Sequence, residues 1–167
     1  MTNVNWDFVV GREGMRYRGY VPDADFSNSG VTISTGFDLG KKNEYDIRGL
    51  SPELQTKLKP YLGLKGESAK DVARQLRISR AEALEISNWE KEEKGRLVAR
   101  QWEKDKGQPV SSLPDCKATP IMSLAFQYGH DFKTKAPKFA KFVHNDDWVS
   151  AEAELRNFGD RYTSRRK

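Results

Sequence analysis

The chain has 167 residues, 29 Lys and Arg against 24 Asp and Glu, a formal net charge of +5, and 37% hydrophobic residues. That length suits one domain burying about 70% of its unfolded surface, and the composition is too apolar for a disordered chain. One cysteine, Cys116, excludes an intrachain disulfide and any C-x-x-C metal or redox motif, and it is expected to be a small buried apolar side chain rather than a nucleophile.

Residues 3–17 place Trp6, Val9, Val10 and Tyr17 on one stripe, with Asn5 as a candidate cap, and predict a short first helix. Residues 18–40 are rich in Gly, Ser, Asp and Pro. Within them Val31-Thr32-Ile33-Ser34-Thr35-Gly36-Phe37-Asp38-Leu39 alternates and is β-branched, which predicts strand. From residue 50 onward helix starts recur. Ser51-Pro52 and Thr119-Pro120 each set a capping residue before a proline at the first helical position. Ser68 with Asp71, and Ser79 with Glu82, have capping-box spacing. Residues 80–106 predict one long helix or two joined ones, and 120–128 an apolar helix closed by Gly129. Asp147 caps a last helix carrying Trp148, Ala151 and Leu155 on one stripe and ended by Gly159. The fold class is α+β, with the β part near the N-terminus.

No basic and apolar leader is visible at residues 1–7, and no apolar stretch approaches the ~18 residues of a membrane span. The chain is expected to be made in the cytoplasm, without stable membrane insertion, and to reach any other compartment by release or delivery. Residues 133–167 hold +4 of the net +5, so an acidic partner is expected to meet that segment.

The β run has a geometry that can do chemistry. Thr32 and Asp38 lie about 20 Å apart in one straight strand, too far to act together. A three-residue loop at 34–36, closed by Ile33 opposite Phe37, brings them together and needs a left-handed residue at its last position, where Gly36 stands. Thr32 and Asp38 are then directly opposed, with Cβ atoms about 4.5–5.5 Å apart. Such a hydroxyl and carboxylate can hold one water, or they can be an ordinary cross-strand hydrogen bond. Glu13, at the end of the first predicted helix, supplies a second carboxyl. Two carboxyls about 6.5–9.5 Å apart, one an acid and one activating water, describe inverting glycoside hydrolysis.

Glu13-Gly14 followed by Gly30-Val31-Thr32-Ile33-Ser34-Thr35-Gly36-Phe37-Asp38 resembles the phage-type lysozymes, whose signature runs E-G, a short β section, then G-x-T-I-G-x-G. The match is closer to the pesticin-like muramidase branch, where Glu, Thr and a Phe-Asp after the last glycine form the catalytic set. Ala125-Phe126-Gln127-Tyr128-Gly129 is similar to that family's F-Q-x-G core helix, and Trp148-x-x-Ala151-x-x-x-Leu155 with Ser164-Arg165-Arg166 is similar to its closing helices. The recognisable stretches are residues 1–40 and roughly the last 50, while 45–115 match only as helices. Ser34 departs from the glycine that usually follows T-I. Asp23 and Asp25 fall at the wrong spacing for the aspartate that the best-known phage enzymes place between Glu and Thr.

The resemblance implies a lysozyme-like single domain over 1–167, with the first helix and a small β-hairpin lobe in 1–50 and a helical lobe in 51–167. It implies a peptidoglycan substrate cut between N-acetylmuramic acid and N-acetylglucosamine, without metal or cofactor. Glu13 is then the acid, its pKa raised by partial burial. Arg12 and Arg16 are expected to point away from it. Asp38 with Thr32 holds the attacking water, Asp25 is the runner-up carboxylate, and Gln127 contacts substrate. A monomer is expected, with an immunity or inhibitor protein as a conceivable partner. The competing classes are a non-catalytic peptidoglycan- or protein-binding module on the same fold, and a nucleic-acid-binding protein.

His130 and His144 have no metal-ligand spacing and are expected at the surface or at helix ends. Trp89, Trp102, Trp148, Phe126 and Tyr128 are expected in the core. The lysines of 133–141, interleaved with Phe132, Phe139 and Phe142, imitate a nucleic-acid stripe, but no helix-turn-helix, RNP or zinc pattern accompanies them.

Overall fold

The computed structural model describes residues 4–5, 14–22, 29–129 and 131–158. It divides into two compact units, one of residues 13–92 and one of residues 1–12 with 93–167.

The first unit holds a three-stranded antiparallel sheet in the order β1 (Arg16–Tyr20), β2 (Thr32–Ser34), β3 (Phe37–Asp38). Period-two alternation decides which side chains enter the core. Val31, Ile33, Phe37 and Leu39 are fully buried on one side and meet Leu54 and Leu58 of α1 (Pro52–Leu58), Ala69 and Ala73 of α2 (Gly66–Ala73), and Ala83 and Ile86 of α3 (Arg80–Lys106). β1 is bulged: Arg16 pairs with Ser34 and Tyr20 with Thr32, four residues advancing against two.

Residues 93–106 of α3 open the second unit. Its centre is α4 (Asp115–Tyr128), buried without interruption from Ile121 to Phe126, so that its C-terminal half is enclosed on every side, Ser123 included. Around it pack Val98 and Trp102 of α3, Phe139 and Val143 of α5 (Pro137–His144), and Ala151 of α6 (Trp148–Arg156). Among the described residues, no helix is long and apolar enough to cross a membrane.

Several sequence expectations need correction. The first helix cannot extend over 3–17, because Arg16 and Tyr17 belong to β1 and Tyr17 is 43% exposed; residues 6–13 lie outside the described residues. Thr119-Pro120 does not start a helix. Lys117 and Ala118 already donate to Pro114 O, so α4 is under way and Pro120 sits inside it. Ser68 lies inside α2, which begins at Gly66 with no side-chain cap. Cys116 is exposed, in the first turn of α4 ahead of the buried stretch.

Other expectations match what is observed. Ser79 and Glu82 form both bonds of a capping box, Ser79 N–H to Glu82 Oε2 at 2.7 Å and Glu82 N–H to Ser79 Oγ at 3.1 Å. Residues 80–106 form one helix. Gly129 ends α4 with φ 98° and donates to Ala125 O. Asp147 caps α6 by accepting from Ser150 N–H, while Gly159 lies outside the described residues. The lysines and phenylalanines of 133–141 are the two faces of packed amphipathic chain. Phe132 and Phe139 are buried with ring centroids 6.1 Å apart, Lys138 and Lys141 are exposed, and Lys133 is paired with Asp105.

Candidate active site

The β2–β3 connection is where chemistry-bearing residues converge. Ile33 pairs with Phe37 and Thr32 with Asp38, the register that a loop over 34–36 requires. The turn uses two left-handed residues, Gly36 at φ 93° and Ser34 at φ 55°. Serine at such a φ carries strain that glycine would not. Its buried hydroxyl donates to Ala83 O at 2.7 Å, an anchor glycine could not supply.

Thr32 and Asp38 are not spent on each other among the described hydrogen bonds. Both hold Gly30. Thr32 Oγ1 donates to Gly30 O at 3.1 Å, and Gly30 N–H donates to Asp38 Oδ1 at 3.0 Å. The same Oδ1 accepts from Gly40 N–H at 3.0 Å, so Asp38 also caps the 3-10 turn Leu39–Lys41. Its second oxygen, Oδ2, meets Lys41 Nζ at 3.1 Å; the lysine side chain is 64% exposed and the aspartate 16%. The consequence for chemistry is specific. Thr32 has given its proton to Gly30, so toward any further partner its oxygen is an acceptor. Asp38 Oδ2 is an acceptor too. A water between them would donate both protons and turn a lone pair outward.

Thr32 is 2% exposed. Its other cross-strand neighbour, Tyr20, is half-buried and lies under the Arg16 guanidinium, 4.7 Å from the ring centroid. Sequence reasoning missed Tyr20 and Gly40, and it named Gly30 as part of the family signature without its bonds to Thr32 and Asp38. The Asp38-Leu39-Gly40 spacing, an aspartate bonding the amide two residues on, was the signal that could have found Gly40.

The remaining site expectations are placed as follows. Glu13, Arg12, Asp23, Asp25 and His130 lie outside the described residues. Gln127 is half-buried in the last turn of α4, in the second unit, and its Nε2 donates to Tyr128 Oη at 3.2 Å. Beside it Lys94 Nζ lies 4.3 Å from the Phe126 ring centroid and donates to Phe126 O at 3.4 Å. His144, at the end of α5, sits with Nε2 3.4 Å from Asp105 Oδ2 and its ring 5.5 Å from Trp102. Among the described residues, no three His, Cys, Asp or Glu side chains are grouped to hold a metal ion.

The pesticin family model, described as a bacterial toxin homologue of phage lysozyme, C-term, matches residues 3–149. The chain belongs to the pesticin family. The mixed fold with its small antiparallel sheet is the lysozyme-like α+β arrangement expected of that family. Family membership supports a muramidase-type peptidoglycan hydrolase, a glycoside hydrolase in class, acting on the cell wall. No curated protein matches the chain. Within the matched region the described chemistry sits on one β-hairpin, and that hairpin carries the Thr and the Phe-Asp on which the family resemblance rested.

Proposed function

We propose that this pesticin-family protein cleaves the β-1,4 bond between N-acetylmuramic acid and N-acetylglucosamine with inversion at the anomeric carbon. The observation that supports this reading most is the opposed pair Thr32 and Asp38, each tied to Gly30 so that both present acceptors to a shared water. Glu13 is the general acid. Its carboxylic proton passes to the glycosidic oxygen as the bond from the anomeric carbon to that oxygen breaks. The water attacks the anomeric carbon from the opposite face, and its proton passes to Asp38 Oδ2. Thr32 orients the water and keeps its own proton. Gln127 contacts the glycan, and no cofactor takes part.

The 167 residues act as one lysozyme-like domain and as a monomer, an antibacterial lysin or toxin that reaches the wall by release or delivery. An immunity or inhibitor protein is its natural counterpart.

Mass spectrometry of muropeptides after digestion of purified sacculi, with proton NMR of the freshly released product for its anomer, tests the reading. New N-acetylmuramic acid reducing ends of inverted configuration are expected, with Glu13→Gln abolishing them while leaving the melting temperature nearly unchanged. Intact sacculi under the wild-type protein refute the enzyme and leave a binding module. Activity surviving in Glu13→Gln refutes the acid.

A further inference from the structure

An arginine pair lies on the same sheet as Thr32 and Asp38. Residues 74–78, which follow α2, run antiparallel to β1 on the edge away from β2. Gly19 N–H donates to Leu76 O at 2.9 Å and Ile78 N–H to Tyr17 O at 3.0 Å, and these two bonds flank an isolated bridge between Arg18 and Arg77. In that pattern the bridged residues are the close, non-hydrogen-bonded kind, with Cβ atoms about 4.5–5.5 Å apart. Two arginines therefore stand side by side.

Their direction follows from their neighbours. Leu76 and Ile78 are buried on either side of Arg77, so Arg77 faces out. A Cβ on Gly19 would run into Ala73 O and lie 3.2 Å from Val31 Cγ1, so position 19 faces the core and Arg18 and Tyr20 face the other way. Tyr20 is opposite Thr32, and Thr32 opposite Asp38. One face of the sheet thus carries Arg77, Arg18, Tyr20, Thr32 and Asp38.

Arg18 and Arg77 are both exposed, and neither has an ion pair or hydrogen-bonded side-chain partner among the described residues. Arg74 and Arg80, three residues to either side of Arg77, are also exposed and without an ion pair among those residues. Like charges directly opposed across strands disfavour the fold, and an anion between them reverses the sign. A guanidinium fork matches the planar two-oxygen geometry of a carboxylate.

We infer that Arg18 and Arg77 form an anion subsite holding a free carboxylate of the peptidoglycan stem peptide. This rests on the muramidase reading above. The strand spacing puts the pair on the order of 10–15 Å from Thr32 and Asp38. A stem peptide of four or five residues extends about 13–17 Å from the muramic acid that carries it, so the reach agrees. A phosphate polymer or a nucleic acid repeats its charge along a line and calls for a row of cations. A stem carboxylate is a single charge at one place. Of the exposed arginines on these two segments only Arg18 and Arg77 are bridged face to face, which suits one carboxylate. Arg74 and Arg80 beside them make the phosphate-polymer arm of the test the decisive control.

The test is equilibrium binding by the full chain of three soluble probes: a disaccharide–tetrapeptide with free carboxylates, the same molecule with its carboxylates amidated, and the peptide-free disaccharide. The double variant Arg18→Gln/Arg77→Gln is expected to bind the first probe about tenfold more weakly than wild type, as strong a loss as amidation causes in wild type. It should bind the other two as wild type does, with an undiminished melting temperature. An unchanged affinity for the first probe overturns the inference, and so does an equal loss on all three. Tighter, arginine-dependent binding of poly(glycerol phosphate) or duplex DNA also overturns it and assigns the pair to a phosphate polymer. Binding is read without turnover, so a protein that binds in this manner but releases no reducing ends sinks the muramidase reading and leaves the subsite standing.

Discussion

Gly30 and Gly40 donate their amides to the same oxygen of Asp38, each at 3.0 Å, and their backbones touch. The contact explains why both are glycine. A Cβ on Gly30 would collide with Leu64 O and the Gly40 backbone, and a Cβ on Gly40 would lie 2.6 Å from Leu64 O and 2.8 Å from Gly30 N. Because Leu64 O and the partner glycine are backbone, neither can swing aside. Gly30→Ala and Gly40→Ala are each expected to lower stability by about 1–3 kcal/mol in denaturant titration, and to weaken wall lysis further by displacing Asp38. A variant as stable and active as wild type would refute the close packing.

Asp38 has a structural duty as well as a chemical one, and two substitutions separate them. Asparagine keeps an acceptor for the two glycine amides, while alanine leaves both amides without it. Asp38→Ala is expected to cost about 1–3 kcal/mol, and Asp38→Asn clearly less. If Asp38 is the base, Asp38→Asn should still lose on the order of 100-fold or more in turnover. Asp25→Asn is the control. Should Asp25→Asn abolish reducing-end release while Asp38→Asn spares it, the base belongs to Asp25.

Ser34 sets a strained φ of 55° against a buried hydrogen bond to Ala83 O. Ser34→Ala keeps the strain and loses the bond, so it should destabilise by about 1 kcal/mol. Ser34→Gly loses the same bond and relieves the strain, so it should lie within about 0.5 kcal/mol of wild type. The order of midpoints in urea, with Ala lowest, checks the balance. Glycine well above serine would mean that the hydroxyl contributes little.

The hairpin was legible in the sequence because everything it needs is local: alternation, a glycine at the left-handed position, and opposed residues six apart. That Thr32 and Asp38 would meet at Gly30 was not legible. Gly30 is brought to Asp38 by the chain reversal between β1 and β2 and by the approach of Leu64, which is contributed by a loop over 30 residues away. Pro120 misled for a related reason. A threonine before a proline is a good local start signal, but the apolar run beyond it packs on all sides and draws the helix back to Asp115. β1 escaped notice because its alternation is Arg-Tyr-Arg-Gly-Tyr, and the residue it buries is a glycine. The basic excess of residues 133–167 is not spent by these ion pairs: Lys133 pairs with Asp105 outside the segment, Asp146 pairs with Lys106 outside it, and Arg156 pairs with Glu152 within it.

The Asp105 cluster in the second unit gives the fold an acid-sensitive contact. Burial works to raise the Asp105 pKa, but the Lys133 ammonium, the Gln101 amide and the His144 ring outweigh it and hold the carboxyl below its ordinary range. Glu82 is lowered in the same way, with burial opposed by Lys57 and the Ser79 cap. A carboxyl lowered on folding contributes its stability in full above its unfolded value, about 4, and loses it as pH falls through the folded one. The expected loss therefore lies below about pH 4, and none comes from these groups between pH 5 and 7. Asp105→Asn removes the charge that Lys133 balances, so it should be less stable than wild type at pH 6, and the difference should shrink as acidification protonates Asp105 in the wild type. Urea midpoints taken from pH 6 downward check the sign. A wild-type stability that rises on acidification through pH 4 would show that burial, and not Lys133, decides the state of Asp105.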